Sequence, residues 1–214
     1  MKKDIIIHVG LHKTATTFLQ KEVFPRLDID YYLNPQIREF LGIKTKGKKI
    51  LISNEAFSGK PHLSPINSNE RMLIANRLHL LFPIAHIIVG VRNKKDWYNS
   101  LFRQYSKATA TCNKQTFDNI FDKGYLDFDS YINHLKSLFP SVYVYQFETL
   151  KEDPKRFVDG ICNFIGEPTP DFTNKVINKS MTKGQLELFS ALHNVEVKCY
   201  QSIRKIFEIH NRRK

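Results

Sequence analysis

No apolar run in this chain approaches the roughly 18 residues that a membrane-crossing helix needs, which excludes a helical membrane protein. Met1-Lys2-Lys3-Asp4 leads straight into a short apolar stretch rather than a signal-peptide core, so the expected location is cytoplasmic. Cysteine is scarce. Cys112, Cys162 and Cys199 share no Cys-x-x-Cys spacing, and their odd number gives no complete disulfide framework, so reduced thiols are expected. Acidic residues are also short, with 21 Asp and Glu against 33 Lys and Arg and a formal charge of +12. That balance points to anionic partners: nucleic acid, anionic lipid, an acidic glycan or a nucleotide cofactor. Much of the excess sits at Lys44, Lys46, Lys48 and Lys49 and in Arg204-Lys205 and Arg212-Arg213-Lys214, where a solvated face is the ordinary reading. No basic tract is interleaved with aromatics, which counts against a nucleic-acid-binding module. There is no internal repeat or low-complexity tract.

What is present suits one α/β domain. The 214 residues are 42% apolar and 25% charged, with 16 Phe and 9 Tyr for a core. Cores keep growing to about 250 residues before chains usually split, so residues 1–214 are expected to form a single unit. Apolar runs at 4–9, 49–53, 85–91 and 142–147 read as buried parallel strands. Helical patterns occupy 14–24, 69–82, 95–107 and 129–138, and the alternation predicts a doubly wound parallel sheet. Pro83 and Pro140 sit past helical patterns and just before strands, where they stop the helices. Asp153-Pro154 offers an N-cap followed by proline at the first helical position, and that helix is expected to run to Phe164 and end at Gly166. After a loop to 182, Leu186, Phe189, Leu192, Val195, Cys199, Ile203 and Ile206 recur every three or four residues. They predict one long amphipathic helix over 183–210 beyond a core of 4–182.

The chemistry begins at the first strand. Ile5-Ile6-Ile7-His8-Val9 runs into Gly10-Leu11-His12-Lys13-Thr14-Ala15-Thr16-Thr17 and then a helical pattern. A buried strand, a loop whose N–H groups face outward at a helix start, and a lysine together form a cradle for a compact anion. The loop departs from G-x-x-x-x-G-K-[ST]: Ala15 stands where a second glycine is expected, and Lys13 precedes the threonines. A magnesium-dependent nucleotide or small-molecule kinase is thereby disfavoured, yet stays as the rival enzyme reading. Ligands of such sheets sit beyond the carboxyl ends of the strands, so Lys13 to Thr17, Ser53-Asn54-Glu55, and Arg92 with Ser100 are read together.

Three segments resemble the PAPS-dependent sulfotransferases, PAPS being 3′-phosphoadenosine-5′-phosphosulfate. Gly10 to Thr17 resembles that family's 5′-phosphosulfate loop, and Val89-Gly90-Val91-Arg92-Asn93 through Asp96-Trp97-Tyr98-Asn99-Ser100 resembles its 3′-phosphate strand and helix. Tyr145-Gln146-Phe147-Glu148-Thr149-Leu150 with Asp153-Pro154 looks like its Y-E-D-L…D-P segment. The resemblance runs from residue 5 to about 182. It implies a three-layer sheet of P-loop nucleotide-hydrolase type and metal-free transfer of a sulfuryl group to an acceptor hydroxyl or amine, leaving 3′-phosphoadenosine-5′-phosphate (PAP).

By the same resemblance, Lys13 contacts the phosphosulfate, Thr14, Ala15, Thr16 and Thr17 hold the 5′-phosphate, and Arg92 and Ser100 hold the 3′-phosphate. A guanidinium suits phosphate oxygens independently of the analogy. Phe147 replaces the family's tyrosine and can pack on adenine without a phenol hydrogen bond. Lys183 would come from the cofactor-covering loop, after a weak match at Asn178-Lys179-Ser180. Glu55 resembles the carboxylate that serves some branches as general base, with His12, His8 and His62 as rivals. Glu55 could instead cap the turn after its strand. Trp97, Phe102 and Tyr105 read as core aromatics. Residues 56–68 and 106–126 are expected to frame the acceptor pocket, where Lys60, His62, Lys107, Lys114 and Lys123 permit an acidic glycan or glycolipid. Oligomeric state is open.

Overall fold

The computed structural model describes residues 4–35, 49–59, 67–109 and 113–173, with Gly184, Leu188 and Ala191 beyond them. The rest of the expected C-terminal helix, Asn178-Lys179-Ser180, Lys183, Lys60, His62, Cys112 and Cys199 lie outside these residues. Five parallel strands form one sheet in the order β2-β3-β1-β4-β5. They are β1 (Ile5–His8), β2 (Asp30–Leu33), β3 (Ile50–Ser53), β4 (His86–Val91) and β5 (Ser141–Gln146). Helices α1 (Thr16–Phe18), α2 (Asn69–Leu81), α3 (Lys94–Thr109), α4 (Lys114–Ile120), α5 (Phe128–Leu138), α6 (Phe147–Glu152) and α7 (Pro154–Ile165) connect them.

Period-two alternation within the strands divides the core between the two faces. Ile7, Ile52, Ile87 and Val89 pack with Leu78 of α2, Trp97 and Leu101 of α3, Phe117 of α4 and Leu135 of α5. Ile6, Leu51, Ile88 and Tyr145 face the other way, onto Phe18, Phe24 and the Phe157, Val158, Ile161 and Ile165 stripe of α7. Burial of each such aliphatic or aromatic side chain contributes roughly 1.5–3 kcal/mol. Because both faces are covered, the central strands are apolar throughout, which is why their runs were visible in the sequence. Among the described residues no helix is long and apolar enough to cross a membrane.

The expected strands at 4–9, 49–53, 85–91 and 142–147 are β1, β3, β4 and β5. The sheet has a fifth, β2, because Asp30-Tyr31-Tyr32-Leu33 pairs along the outer side of β3, with Asp30 opposite Ile50 and Leu33 opposite Ser53. As an edge strand headed by an aspartate and only partly buried, it carries no apolar run. The helix expected over 14–24 also differs. Regular α geometry starts only at Thr16, and the segment continues as a wider π turn over Leu19–Val23 and a 3-10 turn at Phe24–Arg26, where Pro25 sits. Helix α7 forms as anticipated: Asp153 accepts from the Arg156 N–H at 2.9 Å, Pro154 opens the helix, and Gly166 closes it in the left-handed conformation. Cys162 is a buried free thiol, its pKa pushed up by burial to about 11.

Candidate functional site

The loop after β1 is held by its carbonyls. The Gly10 carbonyl accepts from Ser58 Oγ at 3.0 Å, that of Leu11 from Thr14 Oγ1 at 2.5 Å, that of His12 from Trp97 Nε1 at 2.6 Å, and that of Lys13 from Arg92 Nη1 at 3.2 Å. Four successive acceptors are thus turned toward the protein and satisfied by side chains from four different places in the chain. The first N–H groups of a helix have no partner within it, so the start of α1 adds donors to this loop. Lys13 and Ala15 reach this geometry at φ 64° and 72°, in the left-handed region that disfavours any residue with a Cβ by roughly 1–2 kcal/mol. Ala15 therefore opens α1 from a left-handed position, the conformation that the glycine expected there adopts most readily. Gly10 is required by proximity: a Cβ there would lie 2.6 Å from Thr16 Oγ1.

The threonines divide their work. Thr14 and Thr16 are buried, with their hydroxyls directed at the Leu11 carbonyl, whereas Thr17 is only half-buried. Lys13 is half-buried as well. Burial lowers its pKa, Glu55 opposes that shift, and the Arg92 and Lys107 charges add to it. A lysine so placed is no ordinary solvated loop residue.

Glu55 begins the short 3-10 turn after β3, but Asn54 caps that turn by accepting from the Ala56 N–H at 2.8 Å. The Glu55 carboxylate is left to face His12, whose Nδ1 lies 3.2 Å from Oε2. The opposite ring nitrogen, Nε2, meets the Gly59 carbonyl at 2.8 Å. A carbonyl can only accept, so Nε2 carries a proton and His12 is oriented between two oxygens. Burial tends to raise the Glu55 pKa, yet the His12 hydrogen bond and the His12 and Lys13 charges outweigh it and leave it lowered. His12 is almost fully buried, while about a third of the Glu55 side chain is exposed. Of this pair, the carboxylate is the group an incoming acceptor can reach. His8 is different again: it is fully buried beneath the loop, with both ring nitrogens hydrogen-bonded, to Ser53 and to Tyr145.

Arg92 leaves the end of β4 and stacks over the Phe147 ring, its guanidinium carbon 4.3 Å from the centroid. Lys151 approaches the same ring at 5.0 Å. Burial lowers the Arg92 pKa, with Asp96 and Glu148 opposing and Arg103 adding to the shift. Arg92 Nε has no hydrogen-bond partner among the described residues, and neither has Ser100 Oγ, which is 2% exposed on α3. Buried polar atoms are normally satisfied, but on this strand-helix unit Arg92 Nε, Ser100 Oγ, Gln104 Oε1 and Ser106 Oγ have no hydrogen-bond partner among the described residues. Asn93 fixes the unit: its Oδ1 accepts from the Lys95 and Asp96 N–H groups, and its own N–H donates to Glu148 at 3.1 Å.

Lys13, Glu55, His12 and Arg92, expected at one end of the sheet, lie together there. Two supports carry no such sign in the sequence. Trp97 is core, as expected, but its indole N–H also holds the loop, and Ser58 does the same from the turn after β3. A tryptophan four residues after the Asn93 cap gave no local sign of an 85-residue reach to His12.

The family described as the sulfotransferase domain matches residues 2–205. The crystal structure of a sulfotransferase from Alicyclobacillus acidocaldarius shares the fold, with a TM-score of 0.55 at 14% identity over 95% of this chain and 96% of that one. Mouse sulfotransferase SULT7A1 complexed with PAP aligns at 23% identity and a TM-score of 0.49 over 79% of this chain and 60% of its own. No curated protein matches the sequence. With a family match over nearly its whole length, on a parallel α/β sheet shared with a known sulfotransferase, this chain belongs to the sulfotransferase family.

Proposed function

We propose that this protein moves a sulfuryl group from PAPS to an acceptor hydroxyl or amine and releases PAP. The observation that carries the proposal is the pair of buried donors at Arg92 Nε and Ser100 Oγ, unpartnered among the described residues, with the Arg92 guanidinium bonded to the Lys13 carbonyl of the loop. A triphosphate needs one cradle, whereas a 3′-phosphorylated adenosine carries a second phosphate for which these two groups are suited. When bound, PAPS supplies an activated sulfuryl group with a phosphate as its leaving group.

The chain's own residues then have these roles. Lys13, the loop N–H groups and Thr17 hold the 5′-phosphate end, with Thr14, Ala15 and Thr16 shaping the loop beneath it. The Lys13 ammonium, half-buried and poorly solvated, neutralises charge that develops on the leaving oxygen, a role that metal ions take in phosphoryl transfer. Arg92 and Ser100 hold the 3′-phosphate, and Phe147 supports Arg92 by stacking. Glu55 accepts the acceptor's proton through its exposed edge, and His12 orients it. Lys183 is retained as a donor contact by the resemblance alone.

For the acceptor, an acidic glycan or glycolipid fits Lys107, which is exposed and whose charge reaches Lys13. Lys114 is already engaged by Asp118 at 3.0 Å.

Calorimetry with PAP and with adenosine 5′-phosphate tests the donor assignment. PAP should bind more tightly, and Arg92→Ala should weaken PAP by roughly 10- to 100-fold, the worth of charge-assisted hydrogen bonds. Equal affinity for the two nucleotides, or no change in Arg92→Ala, would sink it.

A further inference from the structure

The short turn that Glu55 begins is closed by Gly59, and both residues bear on the same imidazole. The Glu55 carboxylate lies 3.2 Å from His12 Nδ1, and the Gly59 carbonyl accepts from His12 Nε2 at 2.8 Å. Gly59 donates its own N–H to the Ala56 carbonyl at 3.1 Å and stands at φ 83°, in the left-handed region that glycine enters freely. The direction of a carbonyl is set by the backbone that carries it. Whatever fixes Gly59 therefore also fixes His12.

Tyr125 occupies the space against Gly59. A Cβ on Gly59 would lie 2.5 Å from the Tyr125 hydroxyl and 3.1 Å from its ring, so the phenol and the backbone are in direct contact. Tyr125 is fully buried and comes from the 3-10 turn Lys123–Leu126, between α4 and α5. Arg71 of α2 clamps that turn. It donates from Nη1 to the Tyr125 carbonyl at 3.1 Å, and from Nη2 to the Gly124 and Asp127 carbonyls at 2.9 and 2.7 Å. Its guanidinium carbon lies 5.4 Å from the Tyr125 ring centroid and 4.8 Å from that of Tyr131 on α5. Arg71 is itself buried, and burying a guanidinium is costly unless its donors are satisfied. Here they hold the one turn that presents Tyr125.

We infer that Tyr125, clamped by Arg71, is a positioning residue for the acceptor base: its ring keeps Gly59 in the geometry that orients His12 and, through His12, the Glu55 carboxylate. Tyr125 acts through Gly59 and His12, and Arg71 acts through Tyr125. The consequence for catalysis rests on Glu55 being the base, as proposed above. The contacts from Tyr125 through Gly59 to His12 stand without it.

Variants of the full chain at neutral pH test this. Tyr125→Leu removes the wall against Gly59, Tyr125→Phe keeps it, and Gly59→Ala drives a methyl into the phenol. In proton–nitrogen NMR the His12 Nε2–H should exchange slowly with water in wild type and in Tyr125→Phe, and at least tenfold faster in Tyr125→Leu. With labelled PAPS and an acceptor that wild type sulfates, Tyr125→Leu should lower kcat by roughly 10- to 100-fold, the cost of displacing a catalytic group, while PAP affinity holds. Gly59→Ala should show the same two effects, and adding Tyr125→Phe should reverse part of each by removing the atom nearest the new methyl. Unaltered His12 exchange in Tyr125→Leu, or equal falls in kcat and PAP affinity, overturns the positioning role. A double variant no better than Gly59→Ala overturns the contact, and this pair decides by itself should Tyr125→Leu fail to fold. If Glu55→Gln turns over like wild type, the base assignment falls, and the His12 exchange still decides whether Tyr125 holds the imidazole.

Discussion

Acidification from pH 7.5 to 5 probes His8 more selectively than any truncation. The imidazole is fully buried, and burial pushes its pKa from the ordinary 6.5 down to about 3, with the Glu55 charge opposing. Its ring neighbours are Phe24 at 5.2 Å and Tyr145 at 6.0 Å between centroids, neither able to solvate a cation as water does. Between pH 6.5 and 3 the unfolded chain binds a proton that the folded chain refuses. Stability from this group is therefore complete above about 6.5 and is lost as pH falls through that window. At pH 5, about 1.5 units below the unfolded value and at about 1.36 kcal/mol per unit, the loss is about 2 kcal/mol. The carboxylates of Glu55, Asp122 and Asp127, with lowered pKa values, add their own losses mainly at lower pH. Urea unfolding of wild type and His8→Gln at a series of pH values isolates the imidazole. The wild type should lose about 2 kcal/mol more than the variant between pH 7.5 and 5. Parallel curves would show that His8 titrates normally in the folded protein and refute its placement as a neutral buried centre.

Three further substitutions probe the site. Glu55→Gln keeps the volume and removes the base; kcat should fall by roughly 10²- to 10⁴-fold while PAP affinity holds, and a matching loss of affinity would reassign Glu55 to donor binding. In wild type, activity that depends on the Glu55 carboxylate should persist as pH falls and decline only below its ordinary 4.5. Gly90→Ala drives a methyl into Tyr145 and should cost about 1–3 kcal/mol in thermal or urea unfolding, with neutrality contradicting the close approach. Ala15→Gly relieves left-handed strain but loosens the unfolded chain, so its stability should stay within about 1 kcal/mol of wild type. Ala15→Val should be clearly destabilised, and a Val variant as stable as Gly would contradict the left-handed assignment.

Much of this architecture could be read from local pattern. Strands β1, β3 and β4 are buried on both faces and so are written as apolar runs, and the Asp153-Pro154 start and Gly166 stop of α7 are written in cap chemistry. The loop and Arg92 each directly follow a strand that could be recognised, and Ser100 stands nine residues beyond one. What could not be read depends on distance in the chain. β2 is a strand only because β3 offers an edge, and its Asp-Tyr-Tyr-Leu carries little pattern of its own. The left-handed turn at Lys13 and Ala15 lies in a loop whose Gly10, His12 and Lys13 carbonyls are held by Ser58, Trp97 and Arg92, none adjacent in sequence. His8 looked like a rival base when counted as a histidine near a loop; its coupling to Tyr145, 137 residues away, shows where it is used.

Sulfuryl transfer itself is tested most directly by incubating the protein with sulfur-labelled PAPS, a panel of hydroxyl and amine acceptors that includes acidic glycans, and a metal chelator. Label should pass to an acceptor with one PAP released per transfer, undiminished by the chelator and lost in Lys13→Met and Glu55→Gln. Absence of transfer to every acceptor, together with magnesium-dependent turnover of ATP by the same preparation, would contradict it.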